Sequence, residues 1–287
     1  MSAQLIRGIP EVRGALARAR REAKIIGLVP TMGALHAGHG RLIETARREC
    51  GSLAVSVFVN PIQFNRADDY ERYPRTLDAD LRFSEALGAD IVFAPEISAM
   101  YPCPQRAYVD VEVLTDGLCG KFRPGHFRGV ATVVMKLLNI VQPDRAYFGE
   151  KDAQQLAVIR RMVHDLDMPV AIVAVPTVRE PDGLALSSRN RLLSPEERSA
   201  APALYQSLQA AARLVAQGAR NPEEVKREAL AILARQPRMR VEYFEVVDPG
   251  GMQPVAEIRG AVLIAAAVWL GPTRLIDNLL ACKNEQS

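Results

Sequence analysis

The chain has 287 residues, 48% of them hydrophobic, and a formal net charge of +3 from 36 basic and 33 acidic residues. A chain of this size builds one large α/β domain or two smaller ones around a sizeable core, and its interspersed charges lack the basic stripe that nonspecific nucleic-acid binding needs. Cys50, Cys103, Cys119 and Cys282 are scattered with no C-x-x-C, the N-terminus lacks a signal-peptide apolar stretch, and the late apolar run 261–270 is too short to span a bilayer, so a cytoplasmic protein with reduced thiols and no membrane partner is expected.

In chain order, apolar runs and 3.6-residue periodicity predict a helix over 10–22, a strand over 25–29, a helix over 40–50 and a strand over 53–59. A helix over 77–87, strands over 91–93 and 108–111, and a helix over 130–141 come next. A strand over 145–148, a helix over 153–166 and a strand over 170–175 complete this half. Alternation of this kind predicts an α/β fold, a mostly parallel sheet covered on both faces, with ligands beyond the carboxyl ends of its strands. Motifs at Pro30, Asn60 and Gly149 all follow such strands. The character changes at 176–182. Ser194-Pro195-Glu196-Glu197 is a capping box that starts a helix running to about residue 217, and Asn221-Pro222-Glu223-Glu224 repeats the device. Strands over 241–247, 261–269 and 274–276 then predict a small α+β domain. The two domains are drawn as 1–177 and 178–287.

The most informative stretch is Val29-Pro30-Thr31-Met32-Gly33-Ala34-Leu35-His36-Ala37-Gly38-His39-Gly40, at a strand-to-helix turn. Glycines let a backbone approach a ligand, and a helix N-terminus presents N–H groups to an anion. Two imidazoles three residues apart share one side of a first helical turn and can donate to phosphate oxygens. No glutamate lies between the histidines, and His126 and His164 have no metal spacing, so a zinc pair is disfavoured. Two structural histidines at a turn are the plainer alternative. The stretch is neither a P-loop nor Gly-x-Gly-x-x-Gly.

His36-Ala37-Gly38-His39 resembles the HxGH signature of the adenylyl-transferring superfamily that includes class I aminoacyl-tRNA synthetases. The longer string from Val29 to His39 is more particular, and so is Phe58-Val59-Asn60-Pro61-Ile62-Gln63-Phe64. Tyr73-Pro74-Arg75-Thr76, Arg123-Pro124-Gly125-His126-Phe127-Arg128-Gly129-Val130 and Phe148-Gly149-Glu150-Lys151-Asp152 follow. Gln154-Gln155-Leu156, Asp182-Gly183-Leu184-Ala185-Leu186-Ser187-Ser188-Arg189-Asn190 and Arg274-Leu275-Ile276-Asp277-Asn278 complete an ordered set over nearly the whole chain. Together they resemble the pantothenate synthetase (pantoate–β-alanine ligase) family.

That resemblance implies a Rossmann-like doubly wound sheet in 1–177, binding ATP and pantoate, with 178–287 as a smaller lid. It implies ATP-dependent joining of pantoate to β-alanine through pantoyl adenylate, in pantothenate and coenzyme A biosynthesis. His36, His39 and Lys151 are the implied catalytic residues. ATP falls to Met32, Gly33, Ala34, Leu35, His36, Ala37, Gly38 and His39, to Gly149, Glu150, Lys151 and Asp152, and to Val178, Leu186, Ser187, Ser188 and Arg189. Pantoate falls to Gln63 and Gln155, and β-alanine to Gln63. Asp152 reads either as a helix cap or as a nucleotide or metal contact, and His126 either as structural or as part of a loop near substrate. Magnesium is expected with ATP. Ala79 stands where some members carry an acid, so Asp80 is the remaining protein-ligand candidate; Asp78 and Asp80 read alternatively as acids on an exposed helix face, with magnesium bound mainly through ATP. A homodimer is carried over. The alternatives are a small-molecule nucleotidyltransferase of the HxGH superfamily and a noncatalytic nucleotide-binding or tRNA-interacting relative; the intact His36, His39, Lys151 and Arg189 argue against the latter.

Overall fold

A computed structural model describes residues 2–283. Six parallel strands form the first sheet: β1 (Gln4–Ile6), β2 (Ile26–Thr31), β3 (Ser52–Val57), β4 (Ile91–Phe93), β5 (Arg145–Gly149) and β6 (Ala171–Val175), in the order β1-β4-β3-β2-β5-β6. Ile26, Leu28 and Val29 on β2 and Leu53, Ala54 and Val55 on β3 are all buried, as both faces of a covered parallel sheet require. Strand order reverses between β2 and β5, which makes the crevice beyond their carboxyl ends the expected ligand position. β2 pairs with β5 only through Gly27 and Leu28. Pro30, which has no N–H to donate, therefore falls where that ladder has already ended.

The second sheet is an antiparallel meander of β7 (Met239–Val247), β8 (Val262–Leu270) and β9 (Thr273–Ala281). The helices Ala203–Ala216 and Pro222–Leu233 pack on it, burying Leu204, Leu208, Val225 and Leu233 with Phe244, Ile264 and Val268. Ser194 and Asn221 cap the helices Pro195–Ala200 and Pro222–Leu233 as their spacing predicts.

Several elements depart from the sequence expectation. Residues 108–111 form no strand; Val109 N–H bonds Thr132 Oγ1 at 3.0 Å, and the Tyr108 ring lies under Arg128. β1 pairs with β4 at the sheet edge and was missed because three residues carry no period. The expected helix to residue 217 is two, Pro195–Ala200 and Ala203–Ala216, because Pro202 cannot continue the first. β9 runs to Ala281, its polar Asp277 and Asn278 paired with Ala266 and Ala265.

The chain forms two compact units, residues 1–111, 123–150 and 158–176 in the first and 112–122, 151–157 and 177–287 in the second. The main boundary falls at 176/177. The segments 112–122 and 151–157 lie in the second unit; Gln253 Nε2 donates to Val113 O at 2.7 Å, and Gln154 ties the two segments to each other. Its Oε1 accepts from Cys119 N at 2.9 Å, and its Nε2 donates to Leu114 O and Gly117 O at 2.9 Å each.

Candidate active site

In the first unit, β2 leads into the histidine turn. Gly33 has φ +82° and Ala34 φ +51°. Two successive left-handed residues aim the Ala34 and Leu35 N–H groups at one point, and the Asp80 carboxylate fills it. Oδ2 accepts from Ala34 N at 3.0 Å and Oδ1 from Leu35 N at 2.8 Å. Thr76 Oγ1 donates to Oδ2 at 3.1 Å. Asp80 is only 2% exposed, so the alternative of an acid on an exposed helix face does not hold for it: its carboxylate holds the turn. A Cβ on residue 33 would stand 2.9 Å from Asp80 Oδ2, so glycine is needed there for space as well as for its φ. Gly33 N–H donates to Thr31 Oγ1 at 3.1 Å, and that hydroxyl donates to Ser56 O at 2.7 Å.

His36 caps the helix Ala37–Glu49. Its Nδ1 accepts from Gly38 N at 3.1 Å, while His36 N–H reaches His39 Nδ1 at 3.3 Å. This is a capping box built from two imidazoles, with ring centroids 4.1 Å apart. A nitrogen that accepts carries no proton, so these bonds assign the N–H of each neutral ring to Nε2. The amides of Gly33, Ala34, Leu35, His36 and Gly38 are thus engaged within the turn or with Asp80.

Gln63 lies in the turn Pro61–Gln63 and is buried. Its Nε2 is 2.9 Å from Met32 Sδ, so two of the expected site residues meet. Asn60 Nδ2 donates to Gln63 Oε1 at 3.0 Å and to Gly129 O at 3.1 Å, and Tyr101 OH donates to Asn60 Oδ1 at 2.8 Å. Burial pushes the Tyr101 phenol well above its ordinary range, so it stays a donor. Arg123 Nη1 donates to His126 Nε2 at 3.1 Å, which leaves His126 Nδ1–H to donate to Gln63 O at 2.8 Å. His126, open between two readings in the sequence, thus braces the main chain of Gln63. The helix His126–Val141 approaches so closely that a Cβ on Gly129 would lie 2.4 Å from Ile62 O.

β5 ends at Gly149, and the exposed Glu150 begins the turn Glu150–Asp152. Lys151, in the second unit, is 17% exposed at its side chain and stands 3.9 Å from Asp152 Oδ2. Asp152 lies inside that turn. Gln155 is half-buried, and its side chain forms no hydrogen bond among the described residues, in contrast to Gln154. Residues 177–186 fold back on themselves: Leu186 N donates to Val178 O at 3.0 Å, Arg179 bridges to Ala185, and Glu180 N donates to Leu184 O at 2.8 Å. Arg198 clamps the bend through Asp182 at 2.6 Å and Glu180 at 3.0 Å. Beyond it, Ser187 Oγ accepts from Arg189 N at 3.2 Å at the start of the turn Ser188–Leu192. Lys151, Ser187 and Arg189 line one small depression with Asn190, Arg274 and Asp277. Val178, Leu186, Ser188, Asp152 and Gln155 are not part of its lining.

The Arg274–Asn278 motif supplies support that sequence reasoning left without a role. Asn278 Nδ2 donates to Lys151 O at 2.9 Å, fixing the main chain of the lysine. Arg179 makes a two-pronged bond to Asp277 at 2.6 and 3.0 Å and stacks on Tyr205 at 3.9 Å. Burial pushes the Asp277 carboxyl up, and Arg179 pulls it back. The guanidinium of Arg274 is held by Glu242, which also accepts from Trp269 Nε1 at 2.8 Å. The signal in the sequence was Arg274 and Asp277 in a largely apolar strand.

The family profile for pantoate-beta-alanine ligase matches residues 4–280. The chain is 55% identical over 257 residues to the bifunctional pantoate ligase/cytidylate kinase of Synechococcus elongatus; that covers 88% of this chain and 49% of the relative, so the chain spans about half its length. The crystal structure of pantothenate synthetase from Thermus thermophilus superposes with a TM-score of 0.91 at 47% identity, covering 96% of this chain and 98% of that one. Pantoate-beta-alanine ligase from Francisella tularensis, complexed with beta-gamma ATP and beta-alanine, superposes at 0.80 with 34% identity, covering 97% and 98%. The chain belongs to the pantoate-beta-alanine ligase family.

Proposed function

We propose that the chain joins pantoate to β-alanine at the expense of ATP, as part of pantothenate biosynthesis. Family membership over residues 4–280 carries this reading. A carboxylate is a poor acyl donor, so a pantoate oxygen first attacks the α-phosphorus of ATP. The bond from that phosphorus to the bridging oxygen breaks, and pyrophosphate leaves. The β-alanine amine then attacks the pantoyl carbonyl carbon, loses a proton, and AMP departs. Neither step needs a covalent enzyme nucleophile; both need positioning and charge stabilisation.

With the nearby backbone amides engaged, the phosphate-binding role passes to the Nε2–H groups of His36 and His39. In the second unit the Lys151 ammonium, Ser187, Ser188 and Arg189 are assigned to phosphate oxygens, which hydroxyls and a guanidinium suit. Met32 to Gly38, Gly149, Glu150, Asp152, Val178 and Leu186 complete the ATP contacts. Gln63 and Gln155 take pantoate, and Gln63 also β-alanine; the uncommitted amide of Gln155 suits a hydroxyl or carboxylate. Magnesium offsets triphosphate charge and travels on ATP. Among the described residues no three His, Cys, Asp or Glu side chains gather as a metal site, and no helix is long and apolar enough to cross a membrane. A cytoplasmic homodimer acting on small molecules, without nucleic acid, completes the reading.

ATP–pyrophosphate exchange with magnesium, with and without pantoate and before β-alanine, tests it. Pantoate-dependent exchange followed by AMP release on adding β-alanine is the expected result. Absence of exchange while ATP still binds sinks the ligase reading, and a dinucleotide product in place of an amide establishes the nucleotidyltransferase.

A further inference from the structure

Asp80 is the one acid the family resemblance offers to magnesium, and its surroundings do not fit an ion. Magnesium demands near-octahedral oxygen ligands, keeps several waters, and needs open lone pairs on a carboxylate it binds. Here Oδ2 accepts from Ala34 N and Thr76 Oγ1 and Oδ1 from Leu35 N, at 2.8–3.1 Å, so three of the carboxylate's roughly four lone-pair sites are taken. Asp80 as a whole residue is 2% exposed, and Ala79 beside it supplies no side-chain oxygen. The arrangement is instead an anion nest whose anion belongs to the protein.

We propose that Asp80 is a positioning residue for ATP, acting through the Ala34 and Leu35 N–H groups on the two imidazoles, and is not a magnesium ligand. The inference rests on the ligase reading. Ala34 holds an unfavourable left-handed φ of +51°, a conformation that persists only when its surroundings over-determine it. The carboxylate provides that constraint one residue before His36 becomes the helix cap. His36 then positions His39 through the capping box, so three successive links run from one buried charge to two donor rings. Stabilisation by such donors depends on their being fixed beforehand, and a misplacement of about 1 Å can cost about 100-fold in rate. An asparagine at position 80 presents one oxygen and one NH2 to two N–H donors and a hydroxyl, so one of the amide bonds must be lost.

The test compares Asp80→Asn and Thr76→Val with the parent. Pantoate-dependent ATP–pyrophosphate exchange is measured against ATP, pantoate and magnesium in turn, and the Ala34 and Leu35 amide proton shifts are followed by NMR. Asp80→Asn is expected to slow exchange at least tenfold and raise the KM for ATP. The KM for pantoate and the half-saturating magnesium concentration stay within twofold, excess magnesium or manganese gives no recovery, and both amide protons move upfield. Recovery at several-fold higher magnesium overturns the proposal in favour of a metal ligand, and so does an unchanged KM for ATP. If Asp80→Asn does not fold, Thr76→Val decides. A rise of two- to fivefold in the KM for ATP at unchanged magnesium dependence supports positioning, and no rise overturns it. A parent protein without pantoate-dependent exchange sinks the ligase reading, whereas an active parent matched by Asp80→Asn sinks only this inference.

Discussion

The histidine turn of the first unit and the Ser187–Arg189 loop of the second handle charge by opposite means. In the turn, the amides of Gly33, Ala34, Leu35, His36 and Gly38 all bond within the turn or to Asp80. Its histidines are fixed to the main chain through Nδ1, with their protons on Nε2. In the second unit the main chain is fixed at a distance, by Arg179–Asp277, by the Arg198 clamp and by Asn278 on Lys151 O. The charge there sits on the long side chains of Lys151 and Arg189. The comparison separates two ways to meet an anion: a pre-set pair of imidazole donors, and charged side chains on a braced loop. The first loses little entropy on binding; the second supplies the larger field.

His39→Ala and Lys151→Ala break the two devices most directly. Each is expected to lower turnover by about 100-fold or more, since one such donor is typically worth about 3 kcal/mol. Their stabilities are expected to differ. His39→Ala also removes the acceptor for His36 N–H and should cost about 1 kcal/mol, whereas Lys151→Ala should stay within about 0.5 kcal/mol. Steady-state kinetics and thermal melts of the two variants check both halves, and equal losses of stability would erase the distinction drawn between turn and loop.

Support and recognition can be separated within one sequence pair. Gln154 is buried with three bonds, and Gln155 is half-buried with none among the described residues. Gln154→Ala leaves Cys119 N, Leu114 O and Gly117 O without their partner. It should destabilise by about 2–3 kcal/mol, read from urea melts. Gln155→Ala should leave those melts unchanged and raise the KM for pantoate about tenfold, the worth of one good hydrogen bond. Gly129→Ala should destabilise by about 1–3 kcal/mol, because its Cβ would meet Ile62 O at 2.4 Å; the same displacement of Gln63 should raise the KM for pantoate.

Much of this architecture was legible because it is local. Apolar runs and capping boxes marked most strands and helices, and the strand-to-helix position of His36 and His39 followed from spacing alone. What escaped was long-range. Nothing near Asp80 in the chain says that it will accept from Ala34 and Leu35, 45 to 46 residues earlier; its neighbours Asp78 and Ala79 read as a solvated helix face, and both are exposed. The pairing of Arg179 with Asp277 spans 98 residues, and β1 is too short to show a period. The break at Pro202 was readable, since proline cannot continue a helix, but the capping box at Ser194 and the apolar spacing beyond it masked the interruption.

The smallest expected effect tests whether the second unit's loop depends on charge. Arg198 hydrogen-bonds Asp182 and Glu180 at the bend leading to Ser187. That bond holds the Asp182 carboxyl below its ordinary value. The stabilisation is therefore fully present above the unfolded aspartate pKa of about 3.9 and is lost as pH falls through the lower folded value. Asp182 is 39% exposed, so solvent screens the pair and its worth is under about 1 kcal/mol. Asp182→Asn can keep an oxygen for Leu184 N, which now bonds Asp182 Oδ1 at 3.1 Å, and so isolates the charge. The variant is expected to be slightly less stable than the parent at pH 7 and equal to it once the parent's carboxyl is protonated. Because the same bend leads to the phosphate-binding loop, the KM for ATP should rise less than threefold at pH 7. A stability difference that persisted unchanged into acid would mean that the bend is held by its backbone bonds, Glu180 N to Leu184 O and Gly183 N to Glu180 O, and that the second unit's loop, like the histidine turn, is set by main-chain geometry.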